Sequence, residues 1–214
     1  MANRSKIIRA ANEACASSAT LSESLPAPDP SSSAHFAICT FADISAADRA
    51  AIWALMCENM RDIYVHSSFG WDPPSKEAEL FHPLSRFVLV RSLGGDREGA
   101  PAALLAFVHF RFEREEGQNV VYCYEIQVRT DARRAGVGKR LMAVLERVGR
   151  RWRMQKIMLT VFKVNSSARG FYAALGFEVD ETSPEYVDSG EEEDGEDEDS
   201  AENYDYEILS KPIQ

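Results

Sequence analysis

No run of roughly 18 apolar residues occurs anywhere in the 214 residues of this chain, so the sequence offers no membrane-spanning helix. Residues 1–30 contain no apolar signal core, which argues against secretion. Cysteine is sparse: Cys15, Cys39, Cys57 and Cys123 are scattered, with no Cys-x-x-Cys pair. Neither a disulfide framework nor a zinc site is therefore expected, and reduced thiols inside a cell are the plain reading. His35, His66, His82 and His109 lack ligand spacing, so no metal is expected. No internal repeat is visible.

Basic residues are not scarce, although the net charge is −10. Residues 188–202 hold ten of the 34 carboxylates and no Lys or Arg, which leaves 24 acidic residues facing 24 basic ones elsewhere. The acidity is one local run, not a property of the fold. Its composition favours a solvated loop. A hydrophobic fraction of 45% is enough for one sizeable core.

Residues 1–34 read as an N-terminal helix over 3–16 followed by a Pro- and Ser-rich linker, and residues 35–214 as one domain. Ile7, Ile8 and Ala11 form a thin apolar stripe suited to weak docking. Asp43 or Ser45 is placed to cap a helix over 46–64, with Ile52, Leu55, Met56 and Ile63 near one face. Phe69-Gly-Trp-Asp-Pro-Pro stops that helix and makes an aromatic loop. Strands come next at 87–91, 102–112 and 120–128, joined by glycine turns at 94–99 and at Gly117, as in an antiparallel meander. Then come a helix over 136–152, a strand at 157–162, a helix over 166–175 closed by Gly176, and strands at 177–180 and 204–209.

The most informative stretch joins the third strand to the next helix: Gln127-Val-Arg-Thr-Asp-Ala-Arg133-Arg134-Ala135-Gly136-Val137-Gly138. A glycine-bearing, arginine-rich turn at a helix start suits a phosphate. Glycines allow close backbone approach, first-turn N–H groups and the helix dipole favour an anion, and Arg grips phosphate in a bidentate way. A diphosphate-bearing cofactor is the first inference.

The order of strands, Arg133-x-x-Gly136-x-Gly138, helix, strand, Asn165 and Phe171-Tyr172-x-x-x-Gly176-Phe177 resembles the GCN5-related N-acetyltransferase superfamily over about residues 40–210. Tyr122-Cys-Tyr124-Glu125-Ile-Gln127-Val128, the run 157–165, Tyr206-Glu-Ile-Leu-Ser, His109-Phe-Arg-Phe and Gly70-Trp71 look like the N-alpha-acetyltransferase D subfamily, its histone-selective N-terminal type. The resemblance implies an α/β fold with a mixed, mostly antiparallel central sheet. That sheet is flanked by helices and splayed between its fourth and fifth strands. Acetyl-coenzyme A would lie in the cleft, on Gln127, Val128, the turn 133–138, Asn165 and Tyr172. It implies transfer of acetyl to the α-amine of histones four and two-A, whose chains begin Ser-Gly-Arg-Gly. Histone tails are then the partners, with no nucleic acid, no membrane and no obligatory auxiliary subunit, in a monomer of the nucleus and cytoplasm. The acidic run and a short, weakly basic N-terminal segment depart from the subfamily.

Acetyl transfer to an amine needs a bound thioester, a neutral amine, a stabilised oxyanion and a protonated leaving thiolate. A free α-amine loses its proton near ~8, against ~10.4 for a lysine side chain, so a weak base or a water chain suffices. Glu125 is the first choice, acting through water. Strict alternation, however, puts Tyr122 and Tyr124 on one strand face and Glu125 on the other. Either a bulge re-aims these side chains, or Glu125 binds substrate from the strand end. Tyr122 and Tyr124 would wall the peptide slot or order the water, or simply pack. A backbone N–H near 126–128 would polarise the carbonyl. By resemblance, Tyr172 is a candidate general acid. Glu113 would help receive the substrate's arginine, Glu125 and Tyr206 would line the same region, and Phe69 and Trp71 lie in the loop that covers the peptide. Asn165 would bond the pantetheine arm or cap a helix. Cys123 has no evident histidine partner, which disfavours a covalent route.

Two alternatives are a transferase for lysine or a small basic amine, and a non-enzymatic acidic histone-binding module. If the acidic run steers basic tails, deleting 190–200 should slow capture of long histone substrates more at low salt than at high salt. Unchanged kinetics at every salt level would remove the steering idea.

Overall fold

The structure, a computed structural model, describes residues 2–27, 34–93, 102–184, 186 and 204–213. The acidic run at 188–202 and the turn at 94–99 lie outside them. In chain order the elements are α1 (Ala2–Ala14), α2 (Ser18–Ser22), β1 (Ala34–Thr40), α3 (Ala46–Val65), α4 (Pro73–Leu80), β2 (Arg86–Ser92), β3 (Leu104–Glu115) and β4 (Gln118–Val128). They continue with α5 (Val137–Arg151), β5 (Lys156–Phe162), α6 (Ser166–Ala173), β6 (Glu178–Val179) and β7 (Tyr206–Pro212). The strands form one sheet in the order β1-β2-β3-β4-β5-β7-β6.

The sheet is buried on both faces, and the period-two alternation of β2 shows how. Val88 and Val90 join Val108, Phe110, Val121 and the Leu141, Val144, Leu145, Val148 stripe of α5. Phe87 and Leu89 face the other way, onto Phe107, Ile52, Leu55 and Met56 of α3, and Leu80 of α4. Such two-sided burial explains why these strands read as continuous apolar runs.

Every adjacent pair is antiparallel except β4 and β5, which are joined through α5 and run parallel. A parallel neighbour needs such a crossover. Their pairing lasts only from Val120↔Lys156 to Cys123↔Leu159. Beyond that point β4 stays on β3 as far as Val128, and β5 stays on β7 as far as Phe162. The sheet therefore forks, as the resemblance implied.

The sequence reading missed β1, α2 and α4. β1 pairs along its whole length with β2, and α4 starts where an aromatic loop was expected. Asp72 Oδ1 accepts from Ser75 N at 3.2 Å and Pro73 opens the helix, a favourable start because proline has no N–H to leave unpaired. Part of the expected linker is also ordered against the core: α2 carries Leu21, fully buried with Ala11 and Cys15. Ser45, rather than Asp43, caps α3, accepting from Asp48 N at 3.1 Å.

Arg86 fastens α1 to the sheet. Its guanidinium is buried and donates to the carbonyls of Leu84 at 2.7 Å, Cys15 at 3.3 Å and Asn12 at 3.4 Å, over the Phe112 ring. A cation at a helix C-terminus satisfies carbonyls the helix leaves unpaired. Arg86→Met should lower stability by about 2–3 kcal/mol by orphaning these carbonyls, and should speed amide exchange in α1. Wild-type protection of α1 in that variant would show the cap to be dispensable.

Candidate active site

The fork opens a cleft of about 1070 Å³. Drug-sized sites run to roughly 300–1,000 Å³, so there is room for a long cofactor together with a second reactant. α3, α4, β4, the turn before α5, β5 and α6 all contribute to its walls.

One half of the cleft is the glycine turn. Arg134 and Gly136 have left-handed backbones, with φ of 65° and 77°. No side chain caps α5 at Gly136, so its first-turn N–H groups face the cleft for an anion. A Cβ on Gly136 would meet nothing within 4 Å, whereas one on Gly138 would come within 3.2 Å of the Phe171 ring. Gly136 thus serves the turn and the approach to a ligand. Gly138 serves close packing of α5 on α6, a role distinct from the phosphate approach read from the sequence. Arg133 also differs from expectation. Its Nε donates to the Val128 carbonyl at 3.1 Å and an Nη to Asn59 Oδ1 at 2.8 Å, so the guanidinium ties the turn to α3 and β4. Arg134, Lys139 and the backbone remain to face phosphates. Val137 is mostly buried yet lines the cleft, whereas Ala135 does not line it. Asn165 lines the cleft and caps α6, accepting from Ala168 N at 3.2 Å. These features fit a pyrophosphate and its pantetheine arm.

The other half is built around a bulge in β4. His109 pairs with Glu125 and Phe110 with Cys123, so Tyr124 has no opposite on β3. The extra residue turns Glu125 onto the same face as Tyr124, which removes the conflict with strict alternation. On that face His109 is sandwiched between Phe87 and Tyr124, each at 5.1 Å. Burial first, then Arg111, holds its imidazole well below the ordinary range, so it is neutral. Tyr124 Oη donates to Glu113 Oε1 at 3.3 Å. Tyr122 Oη and Thr160 Oγ1 share a hydrogen bond of 2.7 Å across the fork.

Glu125 is 4% exposed and paired with Lys76 Nζ at 2.8 Å. Lys76 also donates to Glu79 Oε1 at 2.5 Å and Tyr64 Oη at 2.7 Å, so each of its three N–H donors has one acceptor. Burial opposes that ammonium, but Glu125, Tyr64 and Glu79 outweigh it and raise its pKa, so Lys76 stays charged. The other Glu125 oxygen accepts from Gln127 Nε2 at 2.6 Å. The Gln127 side chain, read from the sequence as a cofactor contact, serves Glu125 instead.

Tyr172 and Cys123 are buried beside the fork, and burial raises both, helped for the thiol by Glu125 and for the phenol by Cys123 and Glu125. Tyr172 keeps a proton to donate. Cys123 keeps a thiol and has no base, so it is a poor nucleophile. Phe69, 54% exposed, stands edge-on to Phe162 and Tyr206 and lines the mouth. Trp71 stacks on Trp53. Glu113, Tyr122 and Tyr206 adjoin the cleft without lining it. Tyr64, Lys76 and Asn59 were not read from the sequence. The Asp72-Pro73 helix start was the signal that could have placed Lys76 on a helix.

Residues 53–177 match the acetyltransferase (GNAT) family. The chain belongs to that family. It is an acetyl-coenzyme A-dependent N-acetyltransferase. Among solved structures its fold is similar to that of the ribosomal-protein-S18-alanine N-acetyltransferase from Escherichia coli, at 19% identity, covering 84% of this chain and 95% of that one with a TM-score of 0.52. A chain of the NatC complex bound to Gag peptide and CoA is similar at 15% identity, 86% and 100% coverage and TM-score 0.56. Arabidopsis thaliana Naa50, in complex with the bisubstrate analogue CoA-Ac-MVNAL, is similar at 17% identity, 84% and 99% coverage and TM-score 0.53. No group of three or more His, Cys, Asp or Glu among the described residues is arranged to hold a metal ion.

For this acetyltransferase, Gly136→Ala should weaken coenzyme A binding about tenfold, because it strains a left-handed residue at the anion site and puts a methyl into open cleft. Calorimetric titration reads this directly. An unchanged affinity would place the pyrophosphate elsewhere.

Proposed function

We propose that this enzyme acetylates the α-amine of peptide N-termini, with histones beginning Ser-Gly-Arg-Gly as its substrates, by direct attack in a ternary complex. The observation that carries the reading is the charge cluster across the cleft from the glycine turn. Glu125, Lys76 and Glu79 together hold one cation and two carboxylates, a net single negative charge that one incoming ammonium would balance. Neighbours of the same fold, solved with a peptide and CoA or with a CoA–peptide analogue, support this pairing of reactants.

When bound, acetyl-coenzyme A supplies the acetyl group as a thioester. Gly136 and the start of α5 hold its phosphates, and Asn165 and Tyr172 flank its arm. Glu125, paired with the Lys76 ammonium, receives the α-ammonium and takes its proton through water. That transfer is undemanding, because an α-amine is more than a hundredfold easier to deprotonate than a lysine, from the ~8 and ~10.4 reference values. The backbone of 126–128, freed from β5 by the fork, offers N–H groups to the carbonyl oxygen. Tyr172 holds at Oη the proton that the departing sulfur needs. Glu113, beside Tyr124, offers a carboxylate to the arginine at the third substrate position, and Phe69 and Trp71 cover the peptide.

Two peptides test this, one beginning Ser-Gly-Arg-Gly with a free amine and the same peptide N-acetylated with its lysines free. Transfer to the first alone is expected, and Glu125→Gln should lower kcat about 10²-fold. Transfer to the blocked peptide would move the enzyme to lysine substrates.

A further inference from the structure

Glu125 is held from two sides, and the second side leads away from the reacting centre to the cofactor turn. Arg133 donates to Asn59 Oδ1 at 2.8 Å, Asn59 Nδ2 donates to Gln127 Oε1 at 2.9 Å, and Gln127 Nε2 donates to Glu125 Oε2 at 2.6 Å. Asn59 Nδ2 also reaches the Val128 carbonyl at 3.3 Å. The chain has a forced direction. A guanidinium can only donate and a carboxylate can only accept, so both amides between them have one allowed orientation. Reversing either would set two oxygens or two N–H groups against each other.

We propose that Asn59 is a positioning residue for Glu125, aiming its carboxylate through Gln127 and tying that aim to the turn that binds coenzyme A. Asn59 acts from α3 and lies about one helical turn before Ile63 and Tyr64, the α3 residues that line the acceptor half. Gln127 is buried and its side chain is committed at both ends. Glu125 Oε1 is already fixed by Lys76, so the Oε2 contact sets the remaining freedom, rotation of the carboxylate about its stem. The role is invisible in a reading that treats α3 as core. Its apolar residues Ile52, Leu55 and Met56 pack on the sheet, while Asn59 bridges the two halves of the cleft. The functional consequence rests on Glu125 serving an amine acceptor as proposed above.

The decisive variant is Asn59→Asp, nearly the same in shape. Its carboxylate keeps the Arg133 contact as an ion pair. It has no N–H for Gln127 Oε1, so Gln127 turns over, donates to the introduced carboxylate, and presents its oxygen to Glu125. Coenzyme A affinity should stay within about twofold of wild type, while kcat for the free-amine peptide falls about tenfold or more, because a misaimed group loses the advantage of orientation. Asn59→Leu, which breaks both links, should lower coenzyme A affinity and kcat together. A purely structural Asn59 would not separate the two variants in this way. Wild-type kcat in the Asn59→Asp variant, or loss of coenzyme A binding together with kcat, would overturn the proposal. A second measurement needs no acceptor. In the coenzyme A-bound protein, the side-chain amide of Gln127 should give a slowly exchanging ¹⁵N–¹H signal coupled across its hydrogen bond to the Glu125 carboxylate carbon, and Asn59→Asp should remove that coupling as the amide turns to the introduced carboxylate. If wild type acetylates neither peptide, the functional reading fails, and this signal still decides the orientation of Gln127.

Discussion

The structure depends on the parting of β4 from β5. Four residues of parallel pairing, ending at Cys123 and Leu159, hold the two halves of the sheet together, and the cleft opens beyond them. Backbone groups of a central strand are normally consumed by two neighbours. Here the far ends of β4 and β5 have one neighbour each, and the edges they leave face each other across the cleft. Tyr122 bonds to Thr160 at the vertex, and Tyr172 and Phe162 line the cleft beyond it. The fork thereby leaves one edge of β4 and one edge of β5 without a strand partner beside the cleft.

Around this fork the charges are few, buried and mutually committed. The Lys76 side chain is 10% exposed and that of Glu125 less, and a buried ion pair of this kind contributes little net stability because desolvation offsets attraction. Its value is orientation. Glu79, 39% exposed in its side chain, connects the pair to solvent, so the acceptor half grades from a dry carboxylate to a wet one. The cofactor half lacks buried side-chain charge and relies on backbone geometry. Two chemical strategies thus meet at β4, and its single bulge lets one strand serve both, with Ile126 and Val128 packing on the α5 side and Glu125 and Gln127 facing α3 and α4.

Much of this was legible in the sequence, for physical reasons that differ by element. The turn 133–138 announces itself because glycine and arginine at a helix start have few other uses, and the strong apolar stripe of α5 marks the helix behind it. Glu125 was legible as chemistry but not as geometry. Alternation alone pointed it to the wrong face, and a bulge has no local signature when its residues are Cys, Tyr and Glu. β1 was overlooked because Ala34-His-Phe-Ala-Ile-Cys-Thr lies beside a proline-rich stretch and is short, and its strand character comes from pairing with β2. Lys76 and Asn59 escaped notice because their roles arise from contacts 49 and 68 residues away in sequence, to Glu125 and Gln127. No periodicity carries such information. Arg133 and Gly138 were read as phosphate contacts, and their surroundings, Asn59 and Phe171, came only with the fold.

The ends of the β6–β7 excursion are both nailed down. Asp180 is buried against Lys156 at 2.5 Å. Burial resists its ionisation, but bonds from Lys156, Ser210 and Thr182 hold its pKa down at about 2. Asp205, where the chain returns, accepts from Ser68 N at 2.6 Å and from its hydroxyl at 2.7 Å, right beside Phe69. The cleft mouth is therefore braced by residues outside the intervening segment. Substitutions within 187–203 leave the Asp180 and Asp205 bonds untouched, so electrostatic character can change there without renegotiating the contacts at the cleft mouth.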